Sequence, residues 1–194
     1  ESEVFDIVEG KNVVAPIREI QEVKNAIKTY EMYGSLDAFK EKDLLKAHQT
    51  MMQGLVDRAG RYRTSGVGVF GEQGCVHLAP PADRVPLLMS QLFHWLKTSK
   101  DHLLIRSCVF HYEFEFIHPF EDGNGRTARL MSDYLRDLCG YGFGNLGSLE
   151  EYFAYDVDEY YRSLQMGLPP LFYDGRENPP HPEIWVGYFL RMMV

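Results

Sequence analysis

The segment His118-Pro119-Phe120-Glu121-Asp122-Gly123-Asn124-Gly125-Arg126-Thr127-Ala128-Arg129 gathers an imidazole, a carboxylate, a glycine-bounded bend and two guanidinium groups in one short run. Gly123, Asn124 and Gly125 can take backbone conformations closed to bulkier residues. Helical patterning resumes at about Arg126, so these residues stand just ahead of a helix N-terminus. There, outward amides and the positive end of the dipole hold phosphate. Arg126 and Arg129, spaced i and i+3, share a face of that helix, and a guanidinium fork suits phosphate oxygens. Asp122, at the mouth of the bend, is the sort of lone carboxylate that holds Mg2+ together with phosphate oxygens and waters. His118 closes the preceding apolar helix and exchanges a proton near neutral pH, which qualifies it as a general base. Pro119 halts that helix, and Phe120 is apolar enough to anchor the bend in the core.

Each feature has a plainer reading. A lone histidine at a helix end is commonly structural, a D-G-N-G run is commonly a turn, and arginines at i and i+3 commonly form a solvated face. Their joint occurrence behind a wholly apolar helix is what favours phosphate chemistry. The alternating carboxylates and distal glutamate of an EF-hand loop are absent, as is the G-K-[ST] of a Walker loop.

The elements that must position this segment read as mostly helical. Residues 16–33 begin at Pro16, place Ile17, Ile20, Val23, Ala26, Ile27 and Tyr30 on one stripe, and end at Gly34 and Ser35. Residues 41–58 carry Leu44, Leu45, Ala47, His48, Met51, Met52 and Leu55 inward and stop at Gly60. Residues 66–79 alternate around a glycine-bounded turn, the pattern of a β-hairpin. Residues 82–98 are helical again, and 101–117 are apolar almost all round, which predicts a central helix. A helix from about Arg126 to Cys139, one opened by a Ser148/Glu151 capping box and running to about Met166, and a last one near 182–193 complete a mainly α bundle with one small β-hairpin.

The 194 residues suit one domain, and the 45% apolar and 25% charged fractions are those of a globular chain. A net charge of −8 argues against general nucleic-acid binding, while a local nest can still hold a nucleotide. Cys75, Cys108 and Cys139 are too widely spaced for a metal pair, and together they predict a reducing, cytoplasmic location. No apolar run approaches the roughly 20 residues of a membrane helix. The start without Met and the apolar end predict a trimmed piece of a longer protein.

From His118 to Arg129 the chain resembles, position by position, the H-x-F-x-[DE]-G-N-[GK]-R-x-x-R motif of the Fic family of AMP-transferases. The hairpin at 66–79, followed by Pro80-Pro81-Ala82-Asp83-Arg84-Val85-Pro86, is similar to the family's substrate-clamping flap and the helix after it. The resemblance implies a single Fic-type catalytic domain over residues 1–194 that transfers AMP from ATP to a Tyr, Thr or Ser hydroxyl of a target protein, or of itself, and releases pyrophosphate. It gives His118 the role of base and Asp122 that of Mg2+ ligand. Gly123, Asn124 and Gly125 become the phosphate cradle, with Arg126 and Arg129 on the β- and γ-phosphates. Tyr160 and Tyr161 resemble a paired-aromatic feature near the nucleotide base; core packing is their plain alternative. Gly125, where some members carry Lys, favours nucleotide transfer over phosphate transfer.

Many members carry an inhibitory helix of pattern [ST]-x-x-x-E-[GN]. Glu9-Gly10 approaches it, with Phe5 where Ser or Thr is expected, so Glu9 is a candidate brake within residues 1–15. Removal of AMP, transfer of another nucleotide or of phosphocholine, and a non-catalytic nucleotide-binding module are the alternatives. The oligomeric state is not legible, and a homodimer stays open.

Overall fold

In the computed structural model, which describes residues 16–71, 74–142, 149–168 and 180–192, the chain runs through eight α-helices and one hairpin. They are α1 (Ile17–Met32), α2 (Glu41–Met51), β1 (Gly68–Gly71), β2 (Gly74–Leu78), α3 (Val85–Thr98), α4 (Leu103–Ile117), α5 (Asn124–Leu138), α6 (Leu149–Tyr155), α7 (Val157–Leu164) and α8 (Pro182–Arg191). This is the expected mainly helical bundle with one small antiparallel sheet.

The helix α4 is apolar all round because it serves two cores. One side packs Phe110, Phe114 and Ile117 against Met89 and Leu96 of α3 and Ala128 and Leu135 of α5. The other side sets Cys108 against Phe153 of α6, Tyr160 of α7 and Trp185, Tyr188 and Phe189 of α8. Each large side chain buried in this way contributes about 1.5–3 kcal/mol. The Trp185 indole N–H donates to the Cys108 carbonyl at 2.9 Å, so the second core satisfies its polar atom as it closes.

Four boundaries or faces differ from the sequence expectation. α2 ends at Met51 rather than near 58, because Gly54 adopts φ 75° in the turns that follow. α5 starts at Asn124, with Gly123 as N-cap at φ 80°, so Asn124 and Gly125 belong to the first helical turn rather than preceding it. The single helix expected to about Met166 is two, parted at Asp156, whose carboxylate accepts the Glu159 amide at 2.8 Å and caps α7. Ser148, half of the expected capping box, lies outside the described residues, as do residues 1–15.

The fourth difference is the face α1 turns inward. Ile17 is 87% exposed and Tyr30 49%, while Asn25 and Thr29 are buried. Asn25 Nδ2 donates to the Met51 and Gln53 carbonyls at 3.1 and 2.8 Å, satisfying acceptors left over where α2 ends.

In the hairpin, Val69 pairs with His77 and Gly68 with Leu78, with an irregularity between Val69 and Phe70. Phe70 stands 75% exposed. The His77 ring donates from Nε2 to the Phe116 carbonyl at 2.8 Å and fastens the hairpin to the end of α4.

Candidate active site

α4 ends in a way only its sequence context permits. A residue before proline is kept out of the α region, and His118 takes the left-handed conformation, φ 48° and ψ 62°. That is uncommon for a residue with a side chain and costs of the order of 1–3 kcal/mol. The His118 amide still donates to the Phe114 carbonyl at 2.9 Å. Its carbonyl accepts from Arg63 Nε at 2.7 Å, and the rest of that guanidinium serves Ser65, Pro80 and Ile117 at 2.9, 2.6 and 3.2 Å. Arg63 is almost wholly buried. It ties the carbonyl end of α4, where a cation is favoured, to both ends of the hairpin.

The bend that follows is stapled from inside. The Asn124 side chain accepts the Phe120 amide at 2.9 Å and donates to the Phe120 carbonyl at 3.0 Å, so it shapes the loop from within. Phe120 lies flat on the His48 ring, centroids 3.6 Å apart and planes 9° apart. The Gly60 amide donates to His48 Nδ1 at 2.8 Å, which leaves the proton on Nε2 for the Asp122 carbonyl at 3.0 Å. Burial holds the His48 ring in its neutral form, with Arg126 adding a smaller push the same way. Gly123 has no alternative: a Cβ there would meet Met52 Sδ at 2.6 Å, on top of the positive φ. No side chain caps the N-terminus of α5, so its first amides remain available to an anion at the mouth of the bend.

Around that mouth the charges alternate. Asp122 accepts its neighbour Gly123's amide at 2.6 Å and pairs with Arg18 of α1 at 3.3 Å. Arg126 lies 3.8 Å from Asp122 and 3.7 Å from Glu22 of α1. The Arg129 guanidinium turns back toward the start of its helix, where a Cβ on Gly125 would lie 3.0 Å from its Nη1 and 3.7 Å from Glu115 Oε1.

The His118 ring is mostly buried yet retains an accessible part. Its Nδ1 lies 3.8 Å from Glu115 Oε2, and the ring lies near the Glu115 main-chain carbonyl. An ionised Glu115 is an acceptor there and favours the proton on Nδ1 and the lone pair on Nε2. Burial, aided by His77 and Arg63, pushes the imidazole down to about 4, against smaller opposing contributions from Glu115 and Asp122. At neutral pH the ring is therefore the free base.

His118, Asp122, Gly123, Gly125, Arg126 and Arg129 are thus brought to one place between α4 and α5. Tyr160 is in the second core. Ser132 donates its hydroxyl to the Ala128 carbonyl, so His111 Nδ1–H donates to Ser132 Oγ at 3.0 Å, and the Tyr160 hydroxyl donates to His111 Nε2 at 2.9 Å. Tyr161, beside it, is half-exposed. Glu9 lies outside the described residues. Sequence reading missed Arg63, Arg18, Glu22 and Glu115, and saw in His48 only an inward helical position. None stands at a diagnostic spacing from the loop, and each reaches it through folding.

Among the described residues, no three His, Cys, Asp or Glu side chains converge as a metal site. Asp122, half-exposed beside the α5 amides, fits a cation that takes its other ligands from phosphate and water. Among the described residues no helix is long and apolar enough to cross a membrane.

A model of the Fic/DOC family matches residues 38–135. A stretch of 105 residues, 52% of the chain, is 36% identical to the protein adenylyltransferase Fic of Drosophila grimshawi, and a similar stretch is 37% identical to that of Culex quinquefasciatus. The chain spans about a fifth of the length of these curated relatives. A solved Fic family protein from Desulfovibrio desulfuricans G20 superposes with a TM-score of 0.83 at 42% identity, covering 99% of this chain and 56% of that one. A Fic-domain signalling protein from Bacteroides thetaiotaomicron shares the fold, with a TM-score of 0.74 at 22% identity over 99% of this chain and 77% of its own.

Proposed function

The chain belongs to the Fic/DOC family, and from that premise we propose that it transfers AMP from ATP to a hydroxyl of a protein, with His118 as the base. The observation that carries this reading is the meeting of a neutral, partly accessible imidazole with an uncapped helix N-terminus and two arginines across one stapled bend. Curated relatives named as adenylyltransferases point the same way.

On this reading the α5 amides and the Arg126 and Arg129 guanidinium groups orient the triphosphate, and Asn124 maintains the shape of the bend. Asp122 would hold Mg2+ together with the phosphates, and the ion would supply charge neutralisation there. His118 Nε2 takes the proton of the acceptor hydroxyl. The oxygen bonds to the α-phosphorus, the bond to the bridging oxygen breaks, and pyrophosphate leaves. Catalysis is then positioning plus preorganised charge with a single base.

The acceptor protein docks along the hairpin, whose strand edge and exposed Phe70 offer main-chain pairing and an apolar contact to an extended segment. The chain itself is another acceptor. We place the reaction in the cytoplasm and keep Glu9 as the candidate brake.

Intact-mass measurement after incubation with Mg2+ and each nucleoside triphosphate tests the reading. The expected result is added AMP with ATP, a rate lower by about 10²–10⁴ in His118→Ala, and greater labelling in Glu9→Gly. Equal labelling of the parent and His118→Ala, or none in either, removes His118 as base.

A further inference from the structure

We propose that Glu115 is a positioning residue for His118: its carboxylate, set against Nδ1 behind the start of α5, keeps the proton on that nitrogen and leaves Nε2 as the base. The inference rests on the reading of His118 as base, and it names a group that the motif does not contain.

Glu115 sits one helical turn before His118, with Oε2 3.8 Å from Nδ1. His118 Nδ1 and Glu115 Oε1 are buried polar atoms that make no hydrogen bond. Buried orphans of this kind are rare, and each one calls for a reason. The two belong to adjacent groups: Nδ1 faces the other carboxylate oxygen, Oε2, at 3.8 Å, slightly more than a hydrogen bond, while Oε1 lies on the side of Gly125 and Arg129. Catalytic contacts are often long in the resting protein and tighten in the working complex.

The charged and titratable surroundings are few. Glu115 is faced by Arg129 from α5 and Tyr160 from α7. His118 is faced by His77 from β2, Arg63 from the segment before β1 and Asp122 from the bend. Burial pushes the Glu115 carboxyl up to about 7, against a smaller opposing pull from Arg129. Its charge therefore changes near neutrality, well above the pH at which the ring takes a second proton.

The two charge states do different things to the ring. Ionised, Glu115 is purely an acceptor and holds the Nδ1–H form. It also lies beside the imidazolium that forms when Nε2 takes a proton from the acceptor hydroxyl. Protonated, Glu115 becomes a donor toward Nδ1, the ring proton moves to Nε2, and the base is blocked. Base competence thus follows the carboxylate. Arg129, proposed to meet the γ-phosphate, borders Glu115 above Gly125.

The test is a 15N titration of the His118 ring in the nucleotide-free 194-residue chain, for the parent and Glu115→Gln. The parent should show an inflection near pH 7 in which the two ring nitrogens exchange character, and Glu115→Gln should lack it. In parallel, kcat for AMP transfer should rise about tenfold from pH 6 to 8 in the parent and stay flat in Glu115→Gln, with the KM for ATP within about threefold. An inflection that survives in Glu115→Gln, or is missing from the parent, overturns the proposal. Loss of the inflection in a chain that transfers no AMP at all would sustain the positioning role and sink the proposed function. Should Glu115→Gln fail to fold, Glu115→Asp draws the carboxylate back by a methylene, and an unmoved inflection there is equally fatal.

Discussion

Gly123 shows how much of the bend is decided by single atoms. Its φ of 80° lies where a side chain is strained, and a Cβ would run into Met52 Sδ at 2.6 Å. The left-handed conformation alone costs a residue with a Cβ about 1–2 kcal/mol, and Met52, buried in its own cluster, has little room to retreat. Gly123→Ala should therefore lower the unfolding free energy by about 2–3 kcal/mol and slow AMP labelling by displacing the α5 amides. Urea unfolding beside intact-mass labelling checks both. An unaltered midpoint with unaltered labelling would mean that the bend tolerates a Cβ and that Met52 yields. Gly125 is under a different constraint. Its backbone is ordinary helix, and a Cβ would meet only the far end of Arg129, a flexible group. Of the two motif glycines, the first is demanded by backbone geometry, while at the second a Cβ asks only for a small shift of the Arg129 guanidinium.

At the scale of elements, hydrogen-bond demand overrides apolar periodicity in α1. Asn25 is fully buried because the end of α2 presents the Met51 and Gln53 carbonyls to it. Asn25→Ala should cost about 1–3 kcal/mol, the usual result of stranding buried acceptors. Asn25→Leu is the sharper test. It would improve the apolar stripe, yet it leaves both carbonyls unserved and should destabilise at least as much. A Leu variant more stable than the parent in urea would show that α1 docks by its apolar face after all. The same competition explains what the sequence made legible. The apolar run of α4 and the alternation in the hairpin are local signals, and those elements appear where expected, whereas the bend is shorter than its glycines suggest because α5 already starts at Asn124. The turn at Gly54, the break at Asp156 and the buried face of α1 depend on partners distant in the chain. Arg63 is the clearest case at the site. Nothing around it distinguishes a surface arginine from one that closes four carbonyls of α4 and the hairpin.

On the scale of the whole molecule, α4 divides the interior, and His111 sits wholly buried on the side of the second core. Its ring donates to Ser132 of α5 and accepts from Tyr160 of α7, so one imidazole joins three helices. Burial pushes it down to about 3, with a smaller push from Arg129. The ordinary unfolded value is about 6.5. Between those two limits the unfolded chain binds a proton that the folded chain refuses, so His111 reduces stability as pH falls below about 6.5 and adds nothing further below about 3. Other buried groups titrate in the same range, Glu115 among them with the opposite sign, so the informative quantity is a difference. His111→Asn keeps a donor toward Ser132 and removes the titration. It should be less stable than the parent at pH 7 by about 1–3 kcal/mol, for the lost Tyr160 contact and packing. That gap should then shrink by about 2–3 kcal/mol between pH 7 and 4.5, as the parent alone loses the His111 contribution. Denaturant unfolding of both proteins at a series of pH values measures it. A gap that stays constant over that interval would show that His111 titrates normally in the folded protein, and the second core would then have to admit water as far as α4.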